Sequence, residues 1–203
     1  MKKFSKKGVL LFAGAMAICA FVLPSVASAA SWGVIGTNHT LTSPDIGFTS
    51  VILGQGVTSS CTSSSFAASV PNATALEITT GSFGGLCTAT GASVGTCTVT
   101  TRSTRFPWTV AAPTTSNVQI NNIHIDLRFE HPRGLTSCAN VNGADLTITG
   151  NLTGGQWTGN GSGQHSIVLA NEEGLVSHSA LGANNPLTAR GTFTDSAHTL
   201  TLN

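Results

Sequence analysis

Residues 87–108 read CTATGASVGTCTVTTRSTRFPW, from Cys87 to Trp108. Two cysteines flank a Gly/Ser break, a Thr/Val run follows, and Phe106-Pro107-Trp108 punctuates its end. Cys61 lies before the stretch and Cys138 after it. Short alternating apolar runs broken by Gly and Pro are the pattern of antiparallel strands. Cysteines at such positions indicate strands crosslinked outside a reducing compartment.

The N-terminus agrees with that compartment. Lys2, Lys3, Lys6 and Lys7 precede an uncharged apolar run from Val9 to Leu23, and Ala27-Ser28-Ala29 has the small-x-small form of a cleavage site. The run is shorter than the roughly 20 residues that span a bilayer comfortably. Residues 1–29 are therefore expected to be a signal peptide, and residues 30–203 one secreted domain. All the lysines fall in the leader, so five arginines face eight carboxylates in the remainder, a net charge of −3. A weakly acidic, lysine-free chain offers no electrostatic footprint for nucleic acid or an anionic membrane. Thr, Ser, Gly and Asn supply a neutral, hydroxyl-rich exterior instead.

Outward from the opening stretch, the alternation predicts strands over His39–Ser43, Thr49–Leu53, Cys61–Val70, Ala75–Phe83, Cys97–Thr101, Trp108–Ala112, Asn117–Glu130, Asp145–Trp157, Ser166–Leu169, Leu187–Asp195 and Thr199–Leu202. Within Asn117–Glu130 the inward phase slips near Asn121-Asn122, which predicts a bulge or bend. Glu172 to Ala183 reads as a long loop. The spacing points to a single all-β domain, an antiparallel β-sandwich or jelly roll.

Four cysteines outside the leader make two disulfides. If the chain folds back at Pro71-Asn72, Cys61 comes opposite Cys87 and leaves Cys97 for Cys138. The rival scheme joins Cys87 to Cys97 across the Gly91 turn, and Cys61 to Cys138. No C-x-x-C or paired-His spacing supports zinc.

Gly91-Ala92-Ser93-Val94-Gly95 has the G-x-S-x-G form of serine hydrolases, but that chemistry needs a helix after the serine. Here a strand follows, so a hairpin loop is expected. The densest polar set is His124, Asp126, Arg128, Glu130 and His131. Residues two apart share a strand face, which puts His124, Asp126 and Glu130 together with Arg128. This face is the best polar candidate for ligand binding. Arg128 stands between the carboxylates, and its apolar neighbours predict a face open to water rather than a cleft. Among the tryptophans, Trp108 reads as core. Trp157, beside Gly and Thr, reads as the ring most able to stack on a sugar.

Cys61 before a Ser/Phe strand, Gly-Gly-Leu-Cys87, Gly95-Thr96-Cys97-Thr98-Val99, Phe106-Pro107-Trp108, Val118–Ile123, Cys138 and a Leu-Thr-Gly-Gly-x-Trp157 strand occur in that order. In this the chain resembles a loose group of exported bacterial, mainly actinobacterial, β-sandwich proteins with no agreed activity. More distantly it is similar to exported activators of alkane oxidation, which would imply an accessory role near hydrophobic substrates. The expectation is a non-enzymatic cell-surface or extracellular-matrix protein that acts by surface contact or self-association and needs no cofactor. Its partner would be a cell-wall or polysaccharide surface, an apolar material or another copy of the chain. The alternative is a carbohydrate-binding module using exposed tryptophan.

Overall fold

The computed structural model describes residues 29–203 except 85, 86, 93, 133–137, 139, 160–164, 180 and 181. The expected signal peptide, residues 1–29, lies outside the described residues as far as residue 28, as does Ser93 of the G-x-S-x-G segment. The described residues form ten strands, in order β1 (Asn38–Ile52), β2 (Gln55–Asn72), β3 (Ala75–Phe83), β4 (Cys87–Gly91), β5 (Gly95–Thr104), β6 (Trp108–Ala111), β7 (Asn117–Glu130), β8 (Asp145–Thr158), β9 (Ser166–Ser179) and β10 (Gly182–Asp195).

Every ladder is antiparallel, as the alternation requires. The strands do not divide into the two facing sheets of a sandwich. They pair in the circuit β1–β10–β9–β8–β7–β5–β4–β2 and return to β1, which closes an eight-stranded barrel. β3 and β6 form a second bridge from β2 to β7. Along one edge of β2, β3 occupies Ser64–Asn72 and β4 occupies Val57–Cys61. Along one edge of β7, β6 pairs with Gln119–Asn121 and β5 with Ile125–Glu130. Thus β3 and β4 act as two segments of one wall position, as do β6 and β5.

The interior is filled by side chains, as eight strands allow. Leu41, Ile46, Phe66, Leu76, Ile78, Ile125, Ile148, Ile167 and Leu175 are among the fully buried residues of one continuous core. β7 shows how the sequence sets this face. Val118 and Ile120 are buried, and burial then resumes at Ile123, Ile125, Leu127 and Phe129. Asn122 absorbs the change of phase with a left-handed φ of 64°, where the pairing with β8 also slips between Ile120 and Ile123. This is the expected bulge.

Three expectations change. The expected strands His39–Ser43 and Thr49–Leu53 fall, up to Ile52, in the single strand β1, which turns into β2 through Leu53-Gly54, both at positive φ. Glu172–Ala183 is not a long loop. Residues 172–179 continue β9, and β10 starts at Gly182. The polar Glu172-Glu173-Gly174 run hid the strand because β8 and β9 cross there through a register shift. At that crossing a Cβ on Gly150 would lie 2.3 Å from the carbonyl oxygen of Gly174, so glycine is required. Finally, no strand forms over Thr199–Leu202; Leu202 forms an isolated bridge with Trp32.

The disulfides are Cys61–Cys87 and Cys97–Cys138. The fold-back occurs at Asn72–Ala75, where the Thr74 amide donates to Asn72 Oδ1 at 2.9 Å. It sets Cys61 directly opposite Cys87 in the β2–β4 ladder.

Candidate functional site

The outer face of β7 carries the predicted polar ladder. His124, Asp126, Arg128 and Glu130 are each half-buried and alternate with buried apolar residues. The structure joins some of them and separates others. His124 Nε2 lies 3.4 Å from Asp126 Oδ1, off the line of a hydrogen bond. Arg128 reaches Glu130 at 3.8 Å and Asp145 of β8 at 3.4 Å. Glu130 is therefore drawn into an ion-pair group with Arg128, apart from Asp126. A shallow depression of about 370 Å3 is lined by Arg102, Asp126, Arg128, Asp145 and Thr147, without His124 or Glu130.

Asp126 accepts hydrogen bonds from Ser103 of β5 and from Thr147 of β8, the latter at 2.7 Å. The Ser103 bond first, then the Thr147 bond, hold its carboxyl below the ordinary carboxylate range against partial burial, with help from His124 and Arg105. A carboxylate kept ionised in this way is a poor general acid near neutral pH. The ladder has the character of a solvated, charge-balanced strand face. Asp145, Ser103 and Thr147 are the partners that periodicity could not supply, because each comes from a neighbouring strand.

Trp157 departs from expectation. Its side chain belongs to the core, with 6% of the residue exposed, and it meets Trp32 edge-to-face at 5.5 Å between centroids. The glycines beside it loosen the strand but leave the indole on the inward face of β8. It presents no ring face for a sugar. Trp32 and Trp108 are buried as well, so none of the three indoles offers a stacking platform.

A second polar cluster escaped the sequence. His39 of β1 and Asp195 at the end of β10 are both buried, with His39 Nδ1 3.4 Å from Asp195 Oδ2. The other ring nitrogen of His39 lies 2.8 Å from Thr37 Oγ1. Asp195 also accepts from the amides of Thr199 at 2.7 Å and Leu200 at 2.8 Å, and from Ala197. Burial pushes the Asp195 carboxyl up, but the amides of Leu200, Thr199 and Ala197, together with His39, outweigh it and hold the group low. Thr37, His39 and Asp195 follow one another as in a nucleophile–base–orienter relay. Thr37 Oγ1, however, donates to the Val34 carbonyl at 2.6 Å, which ties the hydroxyl to its own turn. The cluster fastens the C-terminal segment to β1.

No family model, curated protein or solved structure matches the chain. Among the described residues there is no group of three or more His, Cys, Asp or Glu that could hold a metal ion. Nor is any helix among them long and apolar enough to cross a membrane.

The exterior carries a belt of hydroxyls. Thr188 of β10 pairs with Thr49 of β1, Thr49 with Thr58 of β2, Thr58 with Thr90 of β4, and Thr90 with Thr96 of β5. Five threonines thus stand in one cross-strand row, at strand spacings of about 4.8 Å. Four of them are exposed and Thr188 is half-buried. Thr49 Oγ1 and Thr58 Oγ1 are 3.4 Å apart. Two residues along lies a parallel row of Ser60, Thr88 and Thr98. The nearby charges are balanced, because Arg190 pairs with Asp45 at 3.7 Å and Arg128 with Glu130.

Proposed function

We propose that the chain is a non-enzymatic exported protein, working at the cell surface or in the extracellular matrix by contact with a neutral, hydroxylated surface such as a cell-wall or matrix polysaccharide. The observation that carries this reading is the threonine row running across five adjacent strands. A hydroxyl both donates and accepts, as a sugar hydroxyl does, and no charge has to be stripped of water when the two surfaces meet. The two buried disulfides support an oxidising destination. Among the described residues the exposed large apolar side chains are Val34, Ile35, Val51 and Leu53, in two small groups at or beside turns, which favours a hydrated partner over an apolar material.

The reading is tested by depletion of the oxidised protein from solution by insoluble polysaccharides and isolated cell walls, at low and high salt. Neutral contacts predict retention that salt barely changes, because ionic screening acts on charges. Retention on none of these materials, or retention abolished by salt, would count against it.

A further inference from the structure

The barrel wall is interrupted between its two bridges. β3 pairs with β6 through Ala75–Ile78, and β4 pairs with β5 through Gly95–Val99. Between these ladders, Thr79–Phe83 of β3 and Thr100–Thr104 of β5 have no ladder partner on the sides turned toward each other, among the described residues. Both walls bulge at this level. Thr79 is the extra residue where β3 slips against β2, and Arg102 is the extra residue where β5 slips against β7. A bulge bends its strand, and two such bends open the wall.

The opening is a slot of about 530 Å3 whose lining includes Ser82, Phe83, Thr100, Arg102, Thr104 and Phe106. That volume lies in the range of small-ligand sites, roughly 300–1,000 Å3. Phe106 is half-buried, and its ring stands 5.0 Å from that of Trp108; Phe83 meets Phe66 at 5.3 Å. The apolar part of the lining is thus the margin of the core aromatic cluster. The polar part is strand backbone together with Ser and Thr hydroxyls. Arg102 is half-exposed, with Nε 4.0 Å from Asp145.

Unpaired strand edges commonly take an extended peptide. Here the ladders on either side close the slot at both ends along the strands, so a through-running chain has no path. A compact ligand does. We propose that the slot binds one pyranose unit, its hydroxyls on the backbone edges and Ser/Thr side chains and its C–H face on Phe106. The chemical class of the ligand rests on the saccharide-contact reading above; the site adjoins the second hydroxyl row at Thr98 but includes neither Thr58 nor Thr90 of the belt.

The test is an NMR titration of the full oxidised domain with glucose, N-acetylglucosamine and glucuronate, and with oligosaccharides ending in each. Saturable amide shifts centred on Thr79–Phe83 and Thr100–Thr104 are expected, weakened at least about tenfold by Ser82→Trp, which fills the slot. The substitution pair Thr58→Glu/Thr90→Glu in the belt should leave these shifts unchanged, so failure of the slot and failure of the belt are distinguishable. Stronger shifts with oligosaccharides than with free sugars would place the unit at a glycan end; equal shifts would make the free sugar sufficient. A preference for glucuronate that Arg102→Gln removes would assign its carboxylate to Arg102. Absence of saturable shifts with every sugar, or shifts mapping away from both segments, would overturn the proposal.

Discussion

His39 and Asp195 meet as a buried pair, 3.4 Å apart in space and 156 residues apart in the chain. The contact joins the start of β1 to the end of β10, and three backbone amides from the segment after β10 also donate to the carboxylate. Asp195→Ala would strip those three amides of their acceptor inside the protein and remove the carboxylate from His39 Nδ1, while the other ring nitrogen keeps Thr37 Oγ1. Removing one member of a buried, hydrogen-bonded pair costs about 3–5 kcal/mol. Urea denaturation should therefore show an unfolding free energy lowered by that amount. A loss within about 0.5 kcal/mol, the usual range for a surface substitution, would contradict the account.

Acid should weaken the fold through the same group. The Asp195 and Asp126 carboxyls are both held below their ordinary value in the folded state. Each contributes stability that is complete above the unfolded pKa, about 3.9, and is lost as pH falls through the lower folded value. Unfolding free energy should decline below about pH 4. The decline should be shallower in Asp126→Asn, which keeps the fold's core intact. An acid limb equally steep in that variant would remove Asp126 from the explanation.

Trp157→Ala should cost about 3–5 kcal/mol through the cavity it opens against Trp32. Trp157→Phe, which keeps an aromatic ring in the core, should retain polysaccharide binding in full. Loss of binding by a stably folded Trp157→Phe protein would restore a ligand role to the indole.

Much of the fold was legible because alternation reports directly on a barrel wall with one face buried. β3 and β7 have the bounds that their alternation predicts, and the phase slip at Asn121-Asn122 appears as the bulge at Asn122. Closure was not legible. It depends on β1 pairing with both β2 and β10, which local periodicity cannot encode. β4 was missed because Cys87–Gly91 offers only five residues, of which Cys87 and Ala89 point inward. At the candidate sites, the water-facing ladder on β7 followed from period-two spacing. Asp195, by contrast, looked like an ordinary strand-end carboxylate because its partners come from both ends of the chain. The threonine belt was hidden for a related reason: composition shows the threonines, but only inter-strand register lines them up.

The crosslinks close loops of different length, with sequence separations of 26 for Cys61–Cys87 and 41 for Cys97–Cys138. Loop-closure entropy assigns them about 3.5 and about 4 kcal/mol respectively. Paired Cys→Ala substitutions should therefore destabilise by comparable amounts, the second slightly more. Proteolysis of the oxidised protein, followed by mass spectrometry, should recover peptides linked 61–87 and 97–138. Peptides linked through Cys87 and Cys97 would refute the pairing.

The threonine belt is tested most directly by comparing wild type with Thr58→Glu/Thr90→Glu for retention on insoluble polysaccharides and cell walls. Both substitutions lie on exposed positions of adjacent strands and place two carboxylates in the middle of the row. The variant should stay folded, losing no more than about 1 kcal/mol although its two carboxylates stand directly opposite each other, and lose most of its retention. Equal retention by a folded variant would contradict the claim that this belt is the contact surface.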